Sequence, residues 1–245
     1  MTQPHPLAGR TALITGASHG LGLAIAHALA AQGARVACLA RAGSALDHAV
    51  ATLREAGADA HAVAADVTDA AQVDAAVAAT LAWSGRLDVL VLNAGTWQGA
   101  PIAETDEAQW RALLDLNLTG AFHALRAATP SMIAARRGHV IGIASIGALV
   151  GQPGSAAYAA SKWGLRGLLE SAALELQPHR IRVSTLFPHQ INSAGVPVEP
   201  GSAERDRCLE PADIAATVAH LACTPDHVAI GRVDIWPLAA GIAVR

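Results

Sequence analysis

The sequence predicts a doubly wound α/β domain, a parallel sheet of seven strands with helices on both faces. Two observations carry this. Seven short apolar runs recur along the 245 residues, separated by Ala-rich segments of helical period. The runs are almost continuously apolar instead of alternating, the pattern of strands buried on both faces.

RTALIT (10–15) opens the sheet and leads through a glycine-rich turn to a helix starting near Gly20. RVACLA (35–40) precedes a helix near Ser44, AHAVAA (60–65) one near Asp69, and LDVLVL (87–92) one near Asp106. HVIGIAS (139–145) leads to a helix near Ser155, IRVSTLF (181–187) to one near Pro211, and GRVDIW (231–236) closes the series. No internal repeat or low-complexity linker divides residues 1–245, which read as a single domain. Residues 189–210, rich in Pro, Gly and charge, fit no element. A loop of that length in a compact domain reads as a substrate lid.

Composition narrows the function classes. The formal net charge is -3 with both signs scattered, so neither a nucleic-acid face nor a polybasic membrane patch is expected. The opening MTQPHPLAGR has no apolar signal core, and no run of about 18 apolar residues suggests a membrane span. Cys38, Cys208 and Cys223 are odd in number, far apart and without a CxxC. They read as reduced thiols of a cytoplasmic protein, Cys38 in the core. The eleven histidines show no HExxH or other tight spacing, so no metal site is expected.

Chemistry gathers in two stretches. TGASHGLG (15–22) joins the first strand to the first helix. Its glycines let the backbone turn sharply and approach a pyrophosphate, whose charge a helix N-terminus favours. A plain strand-to-helix turn is the competing reading. AAYAASKWG (156–164) holds the only tyrosine and, four residues later, the only lysine; every other basic residue is arginine. Positions i and i+4 share a helix face, so Tyr158 and Lys162 can act on one molecule. A compact ammonium with rotatable donors does what a planar guanidinium does not. A core tyrosine beside a surface lysine is the bland alternative.

Taken in order, TGASHGLG, NAG at 93–95, Asn117 within LLDLNLTGAF, Ser145 thirteen residues before Tyr158, and YxxxK at 158–162 resemble the short-chain dehydrogenases/reductases. The resemblance spans the whole chain. It implies a Rossmann-type fold and hydride transfer between nicotinamide C4 and a carbonyl or carbinol carbon. A phenol near pKa ~10 is a poor base at neutral pH and needs a cation to stabilise its phenolate. By resemblance Lys162 is that cation and also holds the nicotinamide ribose. Tyr158 is then the acid or base at the substrate oxygen, Ser145 orients that oxygen, and Asn117 helps hold a water extending the proton relay.

The resemblance also places cofactor contacts. Gly16, Ser18, His19, Gly20, Leu21 and Gly22 match the diphosphate turn, and Asp66 with Val67 the adenine contacts. Asn93, Ala94 and Gly95 match the wall beside the adenine ribose, and Pro188 and Ile191 join Tyr158 and Lys162. The second strand ends Ala40-Arg41. An acid at position 40 would bond the 2'-hydroxyl of NAD(H), whereas Arg41 suits the 2'-phosphate of NADP(H), the expected cofactor.

Some positions depart from the family pattern. Leu92 replaces an asparagine and Ala144 a common serine, neither with expected consequence. His189 takes a glycine's place beside the nicotinamide, so its imidazole either turns toward the pocket, with a charge change near pH 6.5, or obstructs the ring. Trp97, Gln152 and His189 are expected to line the pocket with Ser145 and Tyr158. The expected substrate is a small, polar carbonyl or secondary alcohol. Assembly as a homotetramer, or a dimer, is expected through the helices starting near Asp106 and Ser155, which pair between subunits in the family. The rivals are a dinucleotide-binding regulatory protein without turnover and an epimerase or dehydratase.

Overall fold

The computed structural model describes residues 5–192, 202 and 205–240. Strands β1 (Thr11–Thr15), β2 (Arg35–Ala40), β3 (Ala60–Ala64), β4 (Val89–Leu92), β5 (Gly138–Ile143), β6 (Ile181–Pro188) and β7 (Arg232–Ile235) are the seven apolar runs with small shifts at their ends. They join in the order β3-β2-β1-β4-β5-β6-β7, every pairing parallel. The order reverses between β1 and β4, and the crevice at the carboxyl ends of those strands is where such sheets bind ligands.

Alternate residues of each strand enter different cores, which is why the runs are continuously apolar. On β1, Ala12 and Ile14 pack with one helix layer and Leu13 with the other. The first layer holds α1 (Gly20–Ala31), α2 (Ser44–Glu55) and α7 (Pro211–Cys223). The second holds α3 (Ala70–Ser84), α5 (Gly120–Ala135) and α6 (Ala156–Leu176). Cys38 lies in the first core, and burial pushes its thiol up to about 12.

Local chemistry fixes the helix starts. Asp69 accepts from the amides of Ala71 and Gln72, and Asp106 from Gln109. Glu210 and Asp213 cap α7 reciprocally with Pro211 at its first turn. The single helix expected near Asp106 is in fact two. α4 (Glu107–Leu114) passes through a π turn, Asp115–Thr119, into α5. One extra residue in the turn re-aims the chain and buries Asn117. No helix among the described residues is long and apolar enough to cross a membrane.

His139 makes stability depend on acid. Ser184 Oγ donates to the carbonyl of Ile230 at 2.6 Å, so the 2.8 Å contact to His139 requires that Nε2 carry the proton. Nδ1 is buried without a partner. Burial, assisted by the charge of Arg182, lowers the imidazole to about 3. Between about 6.5 and about 3 the unfolded chain therefore takes up a proton that the folded chain refuses. Stability is complete above pH 6.5 and falls on acidification by about 1.4 kcal/mol per pH unit from this group. His139→Gln should remove that part of the slope, so the gap in melting temperature between wild type and variant should narrow by several degrees from pH 7 to pH 5. A constant gap would contradict the assignment.

Candidate active site

The turn after β1 is shaped to leave backbone open. Gly16 and Gly20 have φ of 67° and 56°, the left-handed region that favours glycine. A Cβ on Gly22 would run into the carbonyl of Gly16, whereas one on Gly20 would meet nothing within 4 Å. α1 then starts at an extended His19 with no side-chain cap and no acid in its first turn. Its first amides and its positive end are uncompensated, a surface that fits a diphosphate. Ser18 Oγ and His19 Nδ1 lie 2.9 Å apart on the exposed rim, next to Leu21.

A threonine that the sequence did not single out ties this turn to the NAG segment. Thr15 Oγ1 accepts from the amides of Asn93 and Ala94, both at 3.0 Å. The Asn93 side-chain amide donates back to the carbonyls of Thr15 at 2.9 Å and Gly16 at 3.3 Å. On the other side, the amide of Ala17 donates to Leu39 at 3.2 Å, setting the turn against the end of β2. There Arg41 is exposed and enters no ion pair among the described residues. Asp66 Oδ1 accepts from the amide and hydroxyl of Thr68 at 2.9 and 2.8 Å. These bonds, with a smaller part from Arg41, hold its carboxyl below the usual range, and Val67 beside it is buried.

The polar cluster stands at the carboxyl ends of β4 and β5. Ser145 follows β5 in extended conformation and accepts from the amide of Gly147 at 3.1 Å. α6 brings Tyr158 and Lys162 up on one face. Lys162 is 5% exposed, and its Nζ donates to the carbonyl of Ile143 at 2.9 Å and lies 5.9 Å from the Tyr158 ring centre. Burial lowers Lys162 to about 8. Burial also raises the Tyr158 phenol, opposed by a hydrogen bond from Ser145.

Asn117 braces this cluster. Its Oδ1 accepts from the amide of Thr96 at 2.8 Å, and its Nδ2 donates to the Thr96 carbonyl and to Ser161 Oγ, both at 3.0 Å. Ser161 in turn donates to the carbonyl of Tyr158 at 2.7 Å. Gly95 is required beside it, because a Cβ there would lie 2.9 Å from Asn117 Oδ1 and 3.5 Å from Lys162 Nζ. The four expected residues thus meet in one place. Ser161 is a brace that sequence reasoning passed over, although it stands inside YxxxK.

Residues 10–198 match the family model for short chain dehydrogenase. The chain belongs to the short-chain dehydrogenase family. A solved metagenomic short-chain oxidoreductase in complex with NADP is 41% identical with a TM-score of 0.82, covering 94% of this chain and 98% of that one. An uncharacterised oxidoreductase of Listeria monocytogenes is 30% identical across 92% of this chain and 95% of its own. Trans-4-hydroxycyclohexanecarboxylate dehydrogenase of Sinomonas cyclohexanicum is 41% identical over 92 residues, 38% of this chain and 35% of that one. The match to glycine betaine reductase of Emericella nidulans spans only 19% of that protein.

In this short-chain dehydrogenase the remaining expected residues surround the cluster unevenly. Pro188 pairs with Ile235, and the amide of His189 donates to the same carbonyl at 2.8 Å. The expected charge change of His189 near pH 6.5 is corrected: burial first, and the charge of Arg207 second, lower the imidazole. Trp97 is 54% exposed and Gln152 is exposed, on loops after β4 and after Ser145. Of the expected lid 189–210, residues 193–201 and 203–204 lie outside the described residues. Its base is closed by a parallel bridge between Ile191 and the buried Leu209.

Proposed function

We propose that this short-chain dehydrogenase is an NADP(H)-dependent oxidoreductase interconverting a carbonyl and a secondary alcohol on a small, polar substrate. The observation that carries the reading is the alignment of half-buried Ser145 and Tyr158 with buried Lys162, together with the open, uncapped start of α1. The nicotinamide supplies or accepts the hydride. The chain's own residues manage the oxygen. In reduction, the hydroxyls of Ser145 and Tyr158 hold the carbonyl oxygen, and Tyr158 gives its proton as negative charge develops there. The Lys162 ammonium stabilises the phenolate left behind, and Asn117 holds a water that passes a proton onward. Oxidation reverses each step. Gly16 to Gly22 would hold the diphosphate, Arg41, Asp66 and Val67 the adenine end, and Asn93 to Gly95 the adenine ribose. Pro188 and Ile191 would hold the nicotinamide end, and Trp97, Gln152 and His189 would line the substrate side.

The relatives support the cofactor and the substrate class. One solved relative holds NADP, and the name of another denotes a secondary alcohol on a carboxylate. The three free cysteines accord with a cytoplasmic setting. The test is a panel of carbonyls and alcohols followed by nicotinamide absorbance with both cofactors. Tight dinucleotide binding with no turnover of any member would replace this reading with a regulatory one.

The same reading makes the protein a homotetramer. Phe122 on α5 and Trp163 and Leu174 on α6 are exposed, Leu174 at 74%, and large apolar groups at the surface mark contact sites. Light scattering at micromolar concentration should give four times the 24.9 kDa chain mass. A monomer mass would contradict the proposal.

A further inference from the structure

The strand beside Ser145 ends in basic groups that the proton chemistry does not use. Ile143 pairs with Leu186, and the amide of Ala144 donates to Leu186 at 2.9 Å, so Ser145 stands opposite Pro188. His189 follows one residue on. At the usual strand spacing and rise, its backbone is about 6 Å from that of Ser145. Its Nδ1 is buried with no partner among the described residues.

Beyond His189, Ile191 bridges Leu209 in parallel. The amide of Leu209 donates to Gln190, and that of Asn192 to Leu209. Arg207 stands two residues before Leu209, on the chain that meets Gln190 and Ile191. Arg207 ends the short 3-10 turn Arg205–Arg207. The other cations nearby are neutralised, Arg205 by Glu210 at 2.6 Å and Arg232 by Asp234 at 2.9 Å. Arg207 is exposed and enters no ion pair among the described residues, and its charge reaches the His189 imidazole. Asp206 precedes it, but successive residues of a 3-10 turn project about 120° apart, so that carboxylate leaves on a different side.

We infer that Arg207 and His189 form a carboxylate subsite next to Ser145, and that the substrate is a small oxo or hydroxy acid. This rests on the oxidoreductase reading and narrows it. A guanidinium offers two parallel donors to a carboxylate, and an imidazole adds one more through its N–H. The carboxylate takes no part in bond changes. It anchors the molecule while hydride and proton are exchanged at the carbonyl a few bonds away.

The probe is a series of oxo acids of four to eight carbons, each beside its methyl ester, with NADPH. The wild type should reduce at least one acid with kcat/KM ten-fold or more above its ester. Arg207→Gln should raise KM for that acid at least ten-fold with kcat little changed, the mark of lost uniform binding, and leave the ester unaffected. Arg207→Lys should recover part of the loss. His189→Gly should raise KM for the acid as well. An ester reduced as well as its acid, or an Arg207→Gln effect equal on both, would overturn the carboxylate subsite while leaving the oxidoreductase reading intact. If no acid, ester or neutral carbonyl turned over with either cofactor, the oxidoreductase reading itself would fall.

Discussion

Tyr158→Phe should lower kcat by at least ~10²-fold while the melting temperature stays close to wild type. The ring remains to fill its buried site, and only the hydroxyl that meets Ser145 is removed. The same loss is expected for Lys162→Met, which keeps the stem of the side chain and removes the ammonium. Lys162→Arg should not rescue it. Nζ already lies against the carbonyl of Ile143 and within 3.5 Å of the space above Gly95, so a planar guanidinium cannot enter without displacing one of them. The profile of the wild type adds a sign. With Lys162 at about 8 in the free enzyme, the cation that stabilises the developing phenolate is lost as pH rises through that value. Carbonyl reduction, followed as kcat/KM, should therefore fall above pH about 8, and the Lys162→Met variant should lack that limb. Near-wild-type turnover by Tyr158→Phe would remove this mechanism.

The seven strands and the starts of most helices were legible because each rests on a local signal. The middles of β1, β2 and β5 are continuously apolar since alternate side chains enter two different cores. Tyr158 and Lys162 were legible through their spacing, and Ser145 and Asn117 through the family resemblance; the fold brings the four into one cluster. The supports were not. Thr15 matters only because β1 and β4 are neighbours, and nothing near it in sequence announces the amides of Asn93 and Ala94. The carbonyl of Ile143 that holds Lys162 is backbone and leaves no trace in residue identity. The π turn that buries Asn117 is one residue of extra winding inside an unbroken helical pattern. The lowered imidazole of His189 was not legible either, because its burial, the larger cause, and the nearby charge of Arg207 are set by tertiary packing.

NADPH should bind about 10- to 150-fold more tightly than NADH, and Arg41 should account for most of the difference. A charge-assisted contact to phosphate contributes about 1.5 to 3 kcal/mol, which converts to that range. The geometry at the end of β2 favours it. The turn after β1 is bonded to Leu39, so whatever lies on its glycines passes Ala40 and Arg41 at the strand end. Among the described residues the guanidinium has no carboxylate partner to surrender there: Asp66, the acid whose charge it influences, is bonded to Thr68 instead. Arg41→Gln should thus weaken NADPH binding by most of that factor and leave NADH nearly unchanged. Ala40→Asp should act from the other side, repelling the 2'-phosphate and offering an acceptor to the 2'-hydroxyl, so that the order of affinities inverts. Ala40 is buried against the first core, so the variant's melting temperature must be recorded with its affinities. Fluorescence titration with both dinucleotides measures each constant directly. Equal wild-type affinities, or an Arg41→Gln variant that still prefers NADPH as strongly, would show that the 2'-phosphate is recognised elsewhere or not at all.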